Sequence, residues 1–67
     1  MISLTINGQP HTFDRPLSAA QLIEELSLQG KRVALECNGE IVPRSRFAQQ
    51  TLNDGDTLEI VVAVGGG

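Results

Sequence analysis

The sequence contains no tryptophan, no tyrosine, one cysteine, one methionine and a single histidine, His11. A lone cysteine, Cys37, cannot close an internal disulfide or form a CxxC metal or redox site, which fits a reducing compartment. With one imidazole and no phenol, little is left for acid–base or nucleophilic chemistry. A conventional enzyme is disfavoured, and neither a catalytic residue nor a metal ligand is assigned. Positive charge is also scarce. Eight acidic against five basic side chains give a net charge of −3, with no basic cluster. That argues against nucleic acid or an anionic membrane surface as partner. The longest apolar run, Ile60–Val64, is far short of the ~20 residues of a membrane span. Met1-Ile2-Ser3-Leu4-Thr5 is polar at alternate positions with no basic start, so no signal peptide is expected and the cytoplasm is the expected location. The 67 residues suffice for one domain and leave no room for a cofactor domain, a lid and a cleft together. At 40% hydrophobic and 19% charged residues, the chain is globular rather than disordered. It is expected to be a monomer when free and to act by being bound.

What is present is a regular succession of patterned segments. In Met1–Ile6, Ile2, Leu4 and Ile6 alternate with Ser3 and Thr5, the pattern of a half-buried strand. Asn7-Gly8 is a type I′ hairpin signal, and Gln9–Phe13 is the returning strand. Pro10 lacks an N–H, so this strand is expected at an edge or with an irregular start. Ser18 and Gln21 have the spacing of a capping box, and Leu17 and Leu22 that of a hydrophobic staple. They predict a helix over Ala19–Leu28 with Leu22, Ile23 and Leu26 as its apolar stripe and Gly30 as the stop. Glu24 and Glu25 face water, as does Glu36 in the following strand, Val33–Cys37, which alternates again with Val33, Leu35 and Cys37 inward. Asn38-Gly39 is a second hairpin turn, and Ile41-Val42 is a short strand ended by Pro43. Arg44–Gln50 is irregular, with one helical turn and Phe47 reaching inward. Asn53-Asp54-Gly55-Asp56 is a turn, and Thr57–Val64 is the last strand. Leu4, Ile6, Leu22, Leu26, Leu35, Leu58 and Ile60 are the expected core.

A lone helix covers one face of such a sheet. Leu58, Ile60 and Val62 share a parity and can face it. Val61 and Ala63 have the other parity and fall on the open face, where exposed apolar groups point to a partner site. The alternative is that they pack under Arg44–Leu52. Cys37 reads as an inert, mostly buried thiol, and His11 as structural or partly exposed. Arg44 and Arg46 either pair with acidic groups on a partner or solvate a loop.

The last residues are Val64-Gly65-Gly66-Gly67. The glycines cannot join a packed core, so residues 1–64 read as the folded domain and 65–67 as a flexible tail. Three glycines can carry a carboxylate ~10 Å from the body, and without Cβ atoms they fit a tunnel too narrow for other residues. A carboxylate becomes a reactive acyl group once AMP is transferred to it. The reactive atom would then be in the backbone, as the shortage of reactive side chains suggests.

Asn38-Gly39-Glu40-Ile41-Val42-Pro43-Arg44, then Asn53-Asp54-Gly55-Asp56, then Gly65-Gly66-Gly67 resemble the ThiS family, the ubiquitin-like sulfur carriers of thiamin (thiazole) biosynthesis. The likeness covers nearly the whole length; Cys37 and Pro10 belong to no pattern of that family. It implies an α+β, ubiquitin-like β-grasp fold, a mixed sheet packed on one helix. It also implies that an E1-like adenylating enzyme uses MgATP to activate Gly67, the chain itself binding no cofactor. A persulfide sulfur donor would convert Gly67 to a thiocarboxylate, whose sulfur thiazole synthase would take. Gly65 and Gly66 would thread the partners' active sites, and Val61, Ala63 and Val64 would dock on them. The small subunit of molybdopterin synthase also ends in Gly-Gly; the short chain and the Val-Pro-Arg segment disfavour it. A ubiquitin-like modifier attached to lysines, or an interaction module with an idle tail, are the remaining classes.

Overall fold

Ile2, Leu4 and Ile6 are all buried in β1 (Ile2–Ile6), as their alternation requires. The computed structural model describes residues 1–63; Val64, Gly65, Gly66 and Gly67 lie outside the described residues. Asn7 and Gly8 both take positive φ, 51° and 81°, the type I′ geometry, and return the chain as β2 (Gln9–Phe13). Thr5 is opposite Pro10 but sends its N–H the other way, to the Asp56 carbonyl at 3.0 Å. The Thr5–Pro10 pair is therefore a non-hydrogen-bonded one, and the donor that proline lacks falls on the solvent edge.

A two-residue strand, β3 (Leu17–Ser18), precedes the helix α1 (Ala19–Glu25). The capping box forms: the Gln21 N–H donates to Ser18 Oγ (3.1 Å) and the Ser18 N–H to Gln21 Oε1 (2.9 Å). The next two amides of the first turn are also satisfied, because Ala19 donates to the Gln50 carbonyl (2.8 Å) and Ala20 to that of Phe47 (2.9 Å). The segment around the short 3₁₀ turn Arg44–Arg46 is thereby tied to the helix N-terminus, where it supplies acceptors to amides that an α-helix leaves unpaired.

The helix ends earlier than Leu28. Ser27 adopts φ 59°, and the N–H groups of Ser27 and Leu28 donate to the carbonyls of Glu24 and Ile23, both at 3.0 Å. This is a Schellman termination with serine in the left-handed position. Gly30, expected to stop the helix, uses its φ of 80° in the following turn, closed by the Lys31 N–H to the Leu28 carbonyl (3.2 Å). The early stop leaves Leu26 only partly buried, whereas Leu22 is fully so.

The remaining strands are β4 (Val33–Cys37), β5 (Glu40–Val42), β6 (Thr51–Leu52) and β7 (Thr57–Val62). Five of the seven strands among the described residues form a mixed sheet in the order β2-β1-β7-β4-β5, with β1 and β7 parallel and every other neighbour antiparallel. β3 and β6 make a separate two-stranded ladder in which buried Leu17 is opposite buried Leu52. α1 contributes Ala19, Leu22 and Ile23 to one core with Leu4, Leu35, Leu58, Ile60 and Phe47. The arrangement is the expected β-grasp. Among the described residues, no helix is long and apolar enough to cross a membrane.

Leu22→Ala should lower the unfolding free energy by ~2–5 kcal/mol, measured by urea denaturation, and Leu26→Ala by clearly less because its side chain is half solvated. Ser27→Gly should raise it by about 1 kcal/mol, the cost of a non-glycine residue in the left-handed region.

Candidate functional site

β7 and Ala63 are the last described residues before Val64-Gly65-Gly66-Gly67 in the sequence. Side chains alternate across β7: Leu58 and Ile60 are buried, while Val61 is 62% exposed and Ala63 is exposed. Val61 is the register partner of Ala34 in β4, also exposed. One residue beyond the strand, the Ala63 N–H donates to the Arg32 carbonyl at 2.9 Å. That bond fixes the chain as far as Ala63. The alternative in which Val61 and Ala63 pack beneath Arg44–Leu52 does not occur: both remain exposed, and Phe47 and Gln50 of that segment are bonded to α1 on the covered side of the sheet.

Val61, Ala63, Ala34 and Val33 floor a shallow concavity of about 220 Å³ bordered by Arg32 and Arg44. Nη2 of Arg44 donates to the Lys31 carbonyl (3.3 Å), which brings its guanidinium beside the β4 start. Arg46 lines a different depression, with Cys37, Ile41 and Gln50. The structure thus separates two arginines that the sequence could not tell apart. Of the docking residues expected from the sequence, Val61 and Ala63 come together on one open face. Val64, Gly65, Gly66 and Gly67 lie outside the described residues.

Cys37 is buried, with Sγ 3.8 Å from Oδ2 of Asp56. Burial pushes its thiol above the ordinary value, and the carboxylates of Asp56 and Glu40 push it further. The thiolate is the nucleophilic form, so this site opposes sulfur chemistry at neutral pH. His11 is half-buried and stacked on Phe13, with ring centroids 6.5 Å apart. Among the described residues, no three His, Cys, Asp or Glu side chains gather as a metal site would need.

Sequence reasoning missed the polar groups that hold β7 in place. The Asn7 side chain behaves like one more strand residue: the Ile60 N–H donates to its Oδ1 (2.7 Å) and its Nδ2 donates to the Ile60 carbonyl (3.0 Å). Asn38 acts similarly at the other hairpin, accepting from the Thr57 N–H (3.0 Å) and donating to Asp56 Oδ1 (3.1 Å). Asn-Gly signalled both turns, but no local pattern reveals which strand a turn side chain will meet.

Residues 4–67 match the model of the ThiS family. Over 98% of its length the chain is 46% identical to a protein of Paramagnetospirillum magneticum named thiazole synthase, and it spans only 20% of that protein. It is 35% identical to the sulfur carrier protein ThiS of Bacillus subtilis, covering 96% of this chain and 98% of the relative. The crystal structure of the thiamine biosynthesis protein ThiS from Geobacter metallireducens is similar with a TM-score of 0.83. That likeness comes at 38% identity and covers 98% of this chain and all of the other.

The Cys37 environment predicts a pH dependence. Because burial and the neighbouring carboxylates raise the thiol pKa above its ordinary value, the folded protein holds this proton more tightly than the unfolded chain. The resulting stabilisation is complete below the unfolded value and is lost as pH rises through the folded one. Denaturation midpoints of the parent should therefore fall more steeply than those of Cys37→Ala as pH rises past the ordinary thiol value of about 8.5.

Proposed function

Because the chain belongs to the ThiS family, we propose that it carries sulfur for thiazole formation in thiamin biosynthesis, with the Gly67 carboxyl group as the reactive group. A carboxylate oxygen of Gly67 attacks the α-phosphate of ATP on an E1-like adenylating enzyme, which also holds the Mg²⁺, and pyrophosphate leaves. The outer sulfur of a donor persulfide then attacks the acyl carbon and AMP leaves, giving an acyl disulfide. A second thiol of the donor system cleaves its S–S bond, which releases the thiocarboxylate and leaves the donor as a disulfide, and thiazole synthase withdraws that sulfur. The chain is substrate and partner in these steps rather than catalyst, and it acts as a monomer in the cytoplasm. Residues 1–64 form the handle and 65–67 the presented tail. Gly65 and Gly66 thread the partner sites, and Val61, Ala63 and Val64 dock.

The observation that carries this reading is the open end of β7. Exposed Val61 and Ala63, with Ala34 beside them, form an apolar surface immediately before the glycines. The body offers no competing place for sulfur, since Cys37 is buried and its thiol is kept protonated. Likeness to part of a protein named thiazole synthase supports that enzyme as a partner. The names of the other relatives favour the thiazole role over a molybdopterin subunit or a lysine-linked modifier.

Deleting Gly67 retracts the carboxylate by ~3.5 Å, and a misplacement of about 1 Å can already cost ~10²-fold in rate. ATP–pyrophosphate exchange with the adenylating enzyme should fall to background, while binding persists through the body. Gly66→Val should act likewise by filling a tunnel sized for glycine. Exchange at the parent rate in both variants would refute the carrier assignment. Val61→Asp should leave the fold intact and weaken docking, because it sets an unpaired charge in an apolar contact. Circular dichroism and direct binding measurements separate the two effects.

A further inference from the structure

The open face of the sheet carries charge in a fixed order along β4 and β7. Arg32 lies beside Ala63, Ala34 is opposite Val61, and Glu36 is opposite Glu59. Side chains on one face recur every second residue, so this strip spans ~13 Å from its cationic end to its anionic end. Arg44 doubles the cationic end, where it borders the same concavity as Arg32. Ile41, 75% exposed, is the β5 partner of Glu36 and so flanks the anionic end on its β5 side.

The anionic end is unfavourable in the free protein. Glu36 and Glu59 are both exposed and are direct cross-strand partners, which places their Cβ atoms ~4.5–5.5 Å apart on one face. Like charges at such positions repel and weaken the sheet. A cation set between them removes that repulsion.

We propose that this face docks on a surface of opposite polarity on the adenylating partner. A lysine or arginine of the partner sits between Glu36 and Glu59, apolar side chains cover Ala34 and Val61, and a carboxylate reaches Arg32 and Arg44. The inference rests on the carrier reading above and deepens it. Apolar contact alone is non-directional. The charge order makes it directional, because turning the body end for end would bring like charges together at both ends. Direction matters for a carrier, since Ala63 is the point from which the chain runs on to Gly65–Gly67 and the body's orientation aims the tail.

The test uses the full chain and the adenylating enzyme that supports ATP–pyrophosphate exchange with it. Association rates are measured for Glu36→Gln/Glu59→Gln, for Arg32→Gln and for Glu24→Gln, a control on the exposed side of α1. The double glutamine variant should associate about tenfold more slowly at low ionic strength, and the gap should close near ~0.5 M salt. Arg32→Gln should also slow association, whereas a uniformly basic partner surface would bind that variant faster. Glu24→Gln should match the parent. In the free protein the double variant should be as stable as the parent or more so, because a repulsion is gone. Parent-like association of the double variant, faster association of Arg32→Gln, or a loss of stability in the double variant overturns the inference while leaving the carrier reading intact. No binding by the parent itself overturns both.

Discussion

The parallel pairing of β1 with β7 is the constraint on which the rest of this domain depends. It joins segments about 50 positions apart, and closing a loop of that length costs ~3–4 kcal/mol before any contact is made. The ladder itself is brief, with register pairs Thr5–Thr57 and Ile6–Leu58. It is lengthened at both ends by groups outside the regular strands. Beyond its C-terminal end, Asn7 holds both main-chain groups of Ile60. At its N-terminal end, the Ser3 N–H donates to Asp54 Oδ1 (2.7 Å) and the Gly55 N–H to the Ser3 carbonyl (2.8 Å). The Asp-Gly-Asp turn therefore acts as a continuation of the sheet. Once β1 and β7 are joined, β2 and β4 have central strands to pair with, and the apolar sides of β1, β4 and β7 form one surface for α1.

This arrangement explains what the sequence could reveal and what it could not. Period-two alternation settles which face each strand side chain takes, so the inward set Ile2, Leu4, Ile6, Leu35, Leu58 and Ile60 was legible without knowledge of strand order. Turns with obligatory positive φ, Asn7-Gly8 and Asn38-Gly39, were legible for the same local reason. The helix end was not. Glycine is the usual left-handed residue, so Gly30 outweighed Ser27; the two main-chain bonds to Ile23 and Glu24 that stabilise Ser27 there leave no mark on the sequence. The two-residue strands β3 and β6 are too short to show a period, and they exist because Leu17 and Leu52 meet across the core.

The candidate site divides along the same line. Val61 and Ala63 could be placed on the open face from parity alone. Ala34, Arg32 and Arg44 could not be grouped with them, because that requires knowing that β4 lies beside β7 and that the segment after β5 turns back towards residue 31. Cys37 shows how a correct assignment can rest on incomplete reasons. Its parity indicated burial, the largest cause of the raised thiol pKa, yet a further cause is Asp56, a residue 19 positions away that only the tertiary fold brings to the thiol.

A domain this small can cover only one face of its sheet with the one helix found among the described residues. That shortage of secondary structure becomes useful in the proposed carrier role, in which the molecule works by being held. Core residues on the covered face carry stability, so under the proposed docking the side chains on the open face are free to serve a partner even at some cost to the free fold, the role given there to Glu36 opposite Glu59. Ala63 lies on that face and is fixed to Arg32 through its main chain. A partner that grips the face therefore also fixes the position and heading of the backbone that leads to the glycines. In the proposed role, stability, recognition and presentation thus fall to different atoms of one strand: the inward side chains of β7, its outward side chains and its main chain.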